Sequence, residues 1–222
     1  MEIKDRKRVF LVDDHPLMRK GLRMLIETEQ DLHVCGEACS AEEAIEKMLD
    51  SKPSLVIIDI SLPGMSGIDL IKHFQHVANR PQFMVFSRHD ESLYAERAIR
   101  AGAKGYVMKS EEPMSVLKAI RRIDAGAIYV SSAINERLLQ SLASNHQAVH
   151  DSPLEILSDR ELEVFEMTGK GLGTRIIAET LDLSIKTIES YRARIKSKLN
   201  LVNASELMQH AVQWVENERL LH

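Results

Sequence analysis

The sequence predicts an α/β fold, a doubly wound (βα)5 parallel sheet, followed by a small all-α unit of four helices. Three observations predict it. Between residue 8 and about residue 125, short apolar runs alternate with segments of helical period. The third run, Leu55-Val56-Ile57-Ile58, is apolar at every position, as befits a central strand covered on both faces. From residue 154 onward only helical periodicity remains, punctuated by capping signals.

Strands are expected at residues 8–13, 33–37, 55–59, 82–86 and 105–108. Helical spacing lies between them, for example Leu17, Leu22, Leu25 and Ile26, then Ala44, Ile45, Met48 and Leu49. Ser40-Ala41-Glu42-Glu43 is a capping-box pattern, Ser66-Gly67-Ile68-Asp69 marks another helix start, and Pro113 suits a first turn. Residues 133–142 suit a short amphipathic helix, and the polar stretch that follows ends at Pro153. In the last unit Ser158-Asp159-Arg160-Glu161 opens one helix and residues 174–181 form a short second. Asp182-Leu183-Ser184 makes a turn, residues 185–199 form a third helix, and Asn203-Ala204-Ser205-Glu206 opens a fourth. Two helices joined by a tight turn, the second longer and more basic, match a helix-turn-helix. The expected domain bounds are 1–127, a linker with a short helix over 128–153, and 154–222.

The length of 222 residues suits one or two domains, and 44% hydrophobic with 28% charged residues is ordinary for a globular protein. A net charge of -4 argues against nucleic-acid binding through the whole surface but leaves room for a local basic patch. The first residues lead into too short an apolar run for a signal peptide, and no run reaches membrane-spanning length. A cytoplasmic location without a membrane partner is the expectation. Cys35 and Cys39 read as two ordinary thiols, since no Cys or His cluster accompanies them.

The chemistry gathers at strand ends. Asp13 and Asp14 close the first apolar run, Asp59 closes the third, and Lys109 follows the fifth. Carboxyl ends of parallel strands are where ligands bind, so these residues can converge. Three carboxylates together repel one another unless a cation is present, and a hard divalent metal with oxygen ligands relieves that repulsion. Asp-Asp-His-Pro follows the first strand in place of a G-x-G-x-x-G fingerprint, so neither a dinucleotide nor a P-loop site is supported. A carboxylate rim suits Mg2+ and a phosphoryl group.

Val12-Asp13-Asp14-His15-Pro16, the stretch from Asp59 to Gly67, Phe86-Ser87, and the stretch from Gly102 to Lys109 occur in one order along the chain. Together they resemble the bacterial two-component response regulators that join a receiver domain to a LuxR/FixJ-type (NarL-like) DNA-binding domain. The resemblance spans essentially the whole chain. It implies a flavodoxin-like receiver over 1–127, in which Asp59 accepts a phosphoryl group from a phosphohistidine on a sensor histidine kinase. It further implies that Asp13, Asp14, Asp59 and the Ser61 backbone carbonyl hold Mg2+, and that Lys109 contacts a phosphoryl oxygen. Ser87 would move toward the phosphoaspartate, with Tyr106 swinging inward behind it. Arg88 departs from the small or unbranched residue common after the switch hydroxyl, and is expected to overhang the site and alter phosphoryl lifetime.

Projected at 100° per residue, the helix at 185–199 places Ile188, Ile195 and Leu199 toward a core, with Tyr191 on the flank. Lys186, Glu189, Ser190, Ala193 and Ser197 lie opposite; Thr187, Arg194, Lys196 and Lys198 lie along the borders. Small polar residues between cations suit a helix in a major groove whose edges meet phosphates. Leu157-Ser158-Asp159-Arg160-Glu161-Leu162-Glu163-Val164 and the segment from Ser184 to Tyr191 resemble the opening and recognition segments of the LuxR-type domain, which maps base-facing positions to Glu189, Ser190 and Ala193. Gly173, Ile176 and Tyr191 depart from the residues common there. The last helix carries Ala204, Leu207, Met208, Ala211, Val212 and Val215, part of it core and part available for a homodimer of the phosphorylated protein on two-fold DNA half-sites.

A regulator switched by phosphorylation is the leading reading, and it is not an enzyme. A phosphatase would want a D-x-D motif, and Ser61 stands where the second Asp would be. A transcription factor with a vestigial, phosphorylation-independent receiver is the alternative.

Overall fold

The computed structural model describes residues 6–143 and 156–220. The chain divides into two compact units, residues 1–146 and 147–222.

In the first unit, strands β1 (Lys7–Val12), β2 (Leu32–Ala38), β3 (Leu55–Ile58), β4 (Gln82–Ser87) and β5 (Gly105–Met108) form one parallel sheet in the order β2-β1-β3-β4-β5. Helices α1 (Pro16–Glu27), α2 (Ala41–Ser51), α3 (Gly67–His73), α4 (Glu91–Ala101) and α5 (Pro113–Asp124) connect and cover the strands. As expected, β3 is central and buried at every residue. One face of the sheet, with Val9, Leu11, Ile57 and Met84, packs on Leu22 and Ile26 of α1 and on Val116, Ile120 and Ile123 of α5.

Capping fixes where several helices begin. The Ser40 hydroxyl accepts from Glu43 N, and the Glu43 carboxylate accepts from Cys39 N in return. Ser66 accepts from Asp69 N at the start of α3. Gly67 is required there for space: a Cβ on it would stand 1.9 Å from the Asp59 carbonyl oxygen. The strand-to-helix turn is thereby pressed against the backbone of Asp59.

Residues 128–153 read as linker in the sequence, but the described part, 128–143, packs on the first unit. Tyr106 N donates to Tyr129 O at 2.8 Å and Tyr129 N to Lys104 O at 3.0 Å, so the returning chain extends the sheet edge by one bridge. Helix α6 (Ser132–Ala143) then lies against α4, with Ile134 buried and Arg137 donating to Ser92 O at 3.2 Å. Residues 144–153 of that stretch lie outside the described residues.

The second unit contains α7 (Asp159–Gly169), α8 (Thr174–Thr180), α9 (Ile185–Lys198) and α10 (Ala204–Leu220). Ser158 and Glu161 complete the expected capping box, and Asn203 accepts from Glu206 N at 2.9 Å. Asp182 turns the chain between α8 and α9 with φ of 51°, a left-handed conformation that Asp tolerates through local hydrogen bonding. Leu162, Phe165, Ile177, Ile188, Ile195, Leu207 and Ala211 are buried, and each fully buried isoleucine contributes about 2 kcal/mol. The Phe165 and Trp214 rings meet at 5.5 Å. Much of the α10 stripe is core: Leu207, Ala211 and Val215 are buried, Met208 and Val212 half-buried, and Ala204 exposed.

Candidate functional site

The parallel register brings the strand ends together. Val12 pairs with Ile58, Asp59 N donates to Val12 O at 2.9 Å, and Lys109 N donates to Ser87 O at 2.7 Å. Asp13, Asp59, Ser87 and Lys109 therefore emerge along one edge of the sheet. Lys109 Nζ lies 2.5 Å from Asp59 Oδ2 and 2.6 Å from Asp13 Oδ2, with all three side chains no more than 4% exposed. Asp59 Oδ1 accepts from Ser87 Oγ at 2.7 Å and from Ile60 N at 2.7 Å. Asp14 is less enclosed, yet one oxygen each of Asp13, Asp14 and Asp59 and one nitrogen of His15 all fall within 4.8 Å of one another.

Burial pushes the Asp13 carboxyl above its usual range; Lys109 opposes that rise, and the neighbouring Asp59 charge adds to it. One buried ammonium thus faces a cluster richer in negative charge than it can balance. This donor set, all carboxylate oxygen apart from one imidazole, fits a divalent cation.

Ser87 and Tyr106 stand further in than the sequence suggests. Motion of Ser87 toward Asp59 is the expectation, yet its hydroxyl is already bonded to Asp59; Tyr106 is 1% exposed, its hydroxyl donating to His89 O at 2.9 Å. The aromatic ring already fills the space under the β4–α4 loop, so the inward arrangement is the packed one.

Arg88 is exposed, and it is His89 that reaches across the site. A hydrogen bond of 2.7 Å joins the His89 ring to the Ser61 hydroxyl, and that ring lies 4.5 Å from the ring of buried Tyr94. Sequence reasoning missed His89 because loops have no period; its place two residues beyond Ser87 was the available signal. The His15 ring stands 2.6 Å from Asp14 Oδ1, and the His15 backbone N donates to Asp13 Oδ1 at 2.8 Å. Arg19 donates to the Asp13 carbonyl, which sequence reading also missed.

On the second unit, α9 buries Ile188 and Ile195 and exposes Lys186, Glu189, Ser190, Ala193 and Arg194, as the helical projection predicts. Ser184, Lys186, Thr187, Ser190, Tyr191 and Arg194 line a polar depression. The Arg194 guanidinium lies 5.7 Å from the Tyr191 ring centroid, and Ser190 Oγ donates to Lys186 O at 2.9 Å. Thr187 and Ser184 hydroxyls meet at 2.8 Å at the helix start, and Arg192 donates to Thr174 Oγ1 at 2.7 Å, pinning α9 to α8. Lys196 is half-buried.

Lys198 differs from the other cations named for DNA. Its Nζ lies 2.6 Å from Glu161 Oε2 and 3.4 Å from Ile156 O, so its charge is turned to the start of α7. Burial acts to raise the Glu161 carboxyl, but hydrogen bonds from Lys198 and Ser158 outweigh it and hold the group below its usual range. A helical wheel gives the direction of Lys198 but not the partner across the fold.

Residues 9–121 match the response regulator receiver domain, and residues 155–211 match the bacterial regulatory proteins of the luxR family. The chain is 32% identical over 212 residues to the oxygen regulatory protein NreC of Staphylococcus epidermidis, covering 93% of this chain and 97% of the relative. A two-component response regulator of the LuxR family from Aurantimonas is 35% identical, with 63% of this chain and 99% of that one covered and a TM-score of 0.57. RcsB of Salmonella enterica serovar Typhimurium, solved on promoter rprA with the phosphomimetic BeF3-, is 25% identical, with 93% and 98% covered and a TM-score of 0.60. With both domain types matched in order and relatives aligned along nearly the whole chain, the protein belongs to the LuxR family of two-component response regulators and is a DNA-binding transcription regulator.

Proposed function

We propose that Asp59 is the phosphoacceptor and that its phosphorylation controls DNA binding by α9. The observation that carries this reading is the bracketing of one carboxylate by two side-chain donors, Lys109 at Oδ2 and Ser87 at Oδ1. An Asp59 oxygen attacks the phosphorus of a phosphohistidine on a sensor histidine kinase; the P–N bond breaks and its electron pair returns to the imidazole. Lys109 then meets a phosphoryl oxygen as a point charge, and the Ser87 hydroxyl donates to another. Asp13, Asp14, Asp59 and the Ser61 backbone carbonyl would hold Mg2+, which when bound neutralises charge on the transferred group. Tyr106, already beneath His89, links the Ser87 position to β5 and through Tyr129 O to the segment after α5.

Lys186, Thr187, Glu189, Ser190, Ala193, Arg194 and Lys196 form the proposed DNA face, with Glu189, Ser190 and Ala193 toward bases and the cations toward phosphates. Lys198 is proposed as a brace for α7 instead. The RcsB complex on promoter DNA supports a DNA-bound form, and half-buried Met208 and Val212 are the α10 residues proposed for a homodimer contact. No described helix is long and apolar enough to cross a membrane, and a cytoplasmic place of action is proposed with that in view. The inward Ser87 and Tyr106 favour, as a second reading, a regulator active without phosphorylation. Incubation with acetyl phosphate and Mg2+ followed by peptide mass mapping tests the choice: one phosphoryl group on Asp59, absent in Asp59→Asn, is expected, and no phosphoryl group on wild type would overturn it.

A further inference from the structure

We propose that Glu189 is a base-reading residue that selects cytosine, its carboxylate accepting a hydrogen bond from the N4 amino group in the major groove. The inference rests on the proposed DNA face of α9 and names what one position on that face reads.

Glu189 is the one acid among five lysines and arginines between Ser184 and Asn200. It stands in the second turn of α9, within the N-terminal part of a recognition helix that meets base edges. Its side chain is exposed, and among the described residues its carboxylate has neither an ion pair nor a hydrogen bond. Cations on the same helix are engaged elsewhere. Arg192 donates to Thr174 Oγ1 at 2.7 Å, Lys198 donates to Glu161 Oε2 at 2.6 Å, and the Arg194 guanidinium lies 5.7 Å from the Tyr191 ring centroid. The other two base-facing positions do not compete with it. Ser190 commits its hydroxyl proton to Lys186 O at 2.9 Å, and Ala193 offers only a methyl group.

Electrostatics then sets what Glu189 can meet. A free carboxylate carried into a groove walled by phosphates is repelled unless a donor on a base edge receives it. In the major groove only cytosine N4–H2 and adenine N6–H2 donate; guanine N7 and O6 and thymine O4 are acceptors that repel a carboxylate. Adenine holds its amino group beside the N7 lone pair, whereas cytosine presents its amino group with no acceptor on the same base alongside. Cytosine is therefore the base that fits, with adenine a weaker second and guanine and thymine rejected.

The test selects duplexes from a random library with the full-length protein treated with acetyl phosphate and Mg2+, then measures equilibrium affinities at fixed salt. Wild type is expected to enrich one C·G pair whose replacement by U·A, which exchanges the amino group for a carbonyl, weakens binding about tenfold. Glu189→Ala is expected to reduce that penalty below about twofold and to bind a random duplex at least as tightly as wild type, because a charge repelled by phosphates is gone. Base penalties in Glu189→Ala equal to those of wild type would overturn the proposal, as would a library from which no C·G pair is enriched. An equal loss on selected and random duplexes would overturn it too, by marking a purely structural residue. Any of these results, with Arg194→Ala still weakening every duplex, leaves the DNA face of α9 standing. Lys186→Ala and Arg194→Ala that both bind every duplex as wild type does would overturn that face, and the Glu189 assignment with it.

Discussion

Lys109 Nζ donates to Asp59 Oδ2 at 2.5 Å, reaching from the end of β5 across β4 to the end of β3. That ammonium pairs with both Asp13 and Asp59, and both carboxylates are buried. Removing it leaves buried negative charge without compensation. Lys109→Ala should therefore lower the urea midpoint of the metal-free protein, by about 3 kcal/mol in stability. Divalent cation should recover part of the loss, and an unchanged midpoint would contradict the burial of this pair.

Gly67→Ala should disturb the same site from behind. Its Cβ would stand 1.9 Å from the Asp59 carbonyl, so the turn must shift, at a cost of about 1–3 kcal/mol. Acetyl-phosphate labelling of Asp59 should slow along with the loss of stability. Labelling at the wild-type rate would show that the turn does not position the carboxylate.

Lys198→Ala should act on folding before it acts on DNA. Glu161 has a lowered carboxyl in the folded protein, so its contribution is complete above its ordinary value near 4.5 and is lost as pH falls through the lower, folded value. Lys198 is partly exposed, so screening limits the effect to about 1 kcal/mol. Trp214, the single tryptophan, sits against Phe165 and reports this unit by fluorescence. The variant should unfold earlier in urea at pH 7 and differ less from wild type at pH 3; equal curves at both pH values would remove the brace.

Arg194→Ala, by contrast, should leave the Trp214 transition in place. Its guanidinium rests over Tyr191 on the exposed side of α9, where loss of one phosphate contact weakens all DNA sequences alike and lowers the salt slope by about 0.9. Loss of binding to one sequence only would mean that Arg194 reads bases.

Much of the fold was legible because burial on both faces leaves an uninterrupted apolar record. Leu55-Val56-Ile57-Ile58 reads as a central strand, and a carboxylate directly after such a run has to emerge at the sheet's rim, which is where Asp59 lies. Helix starts were legible at Ser40, Ser66, Ser158 and Asn203, since capping is a local matter of three residues. The bond between His89 and Ser61 was not, because it joins two loops 28 residues apart with no periodicity in either. Nor was the turn of Lys198 toward Glu161, which depends on how α9 crosses α7. The inward places of Ser87 and Tyr106 are side-chain conformations, on which residue identity is silent.

DNA binding by the full-length protein as a function of acetyl phosphate, with Mg2+ and at fixed salt, tests the link between the two units most directly. Wild type should bind selected promoter DNA more tightly as Asp59 becomes phosphorylated, and Asp59→Asn should not respond. Equal affinity of wild type with and without acetyl phosphate, at full phosphorylation of Asp59, would contradict the switch.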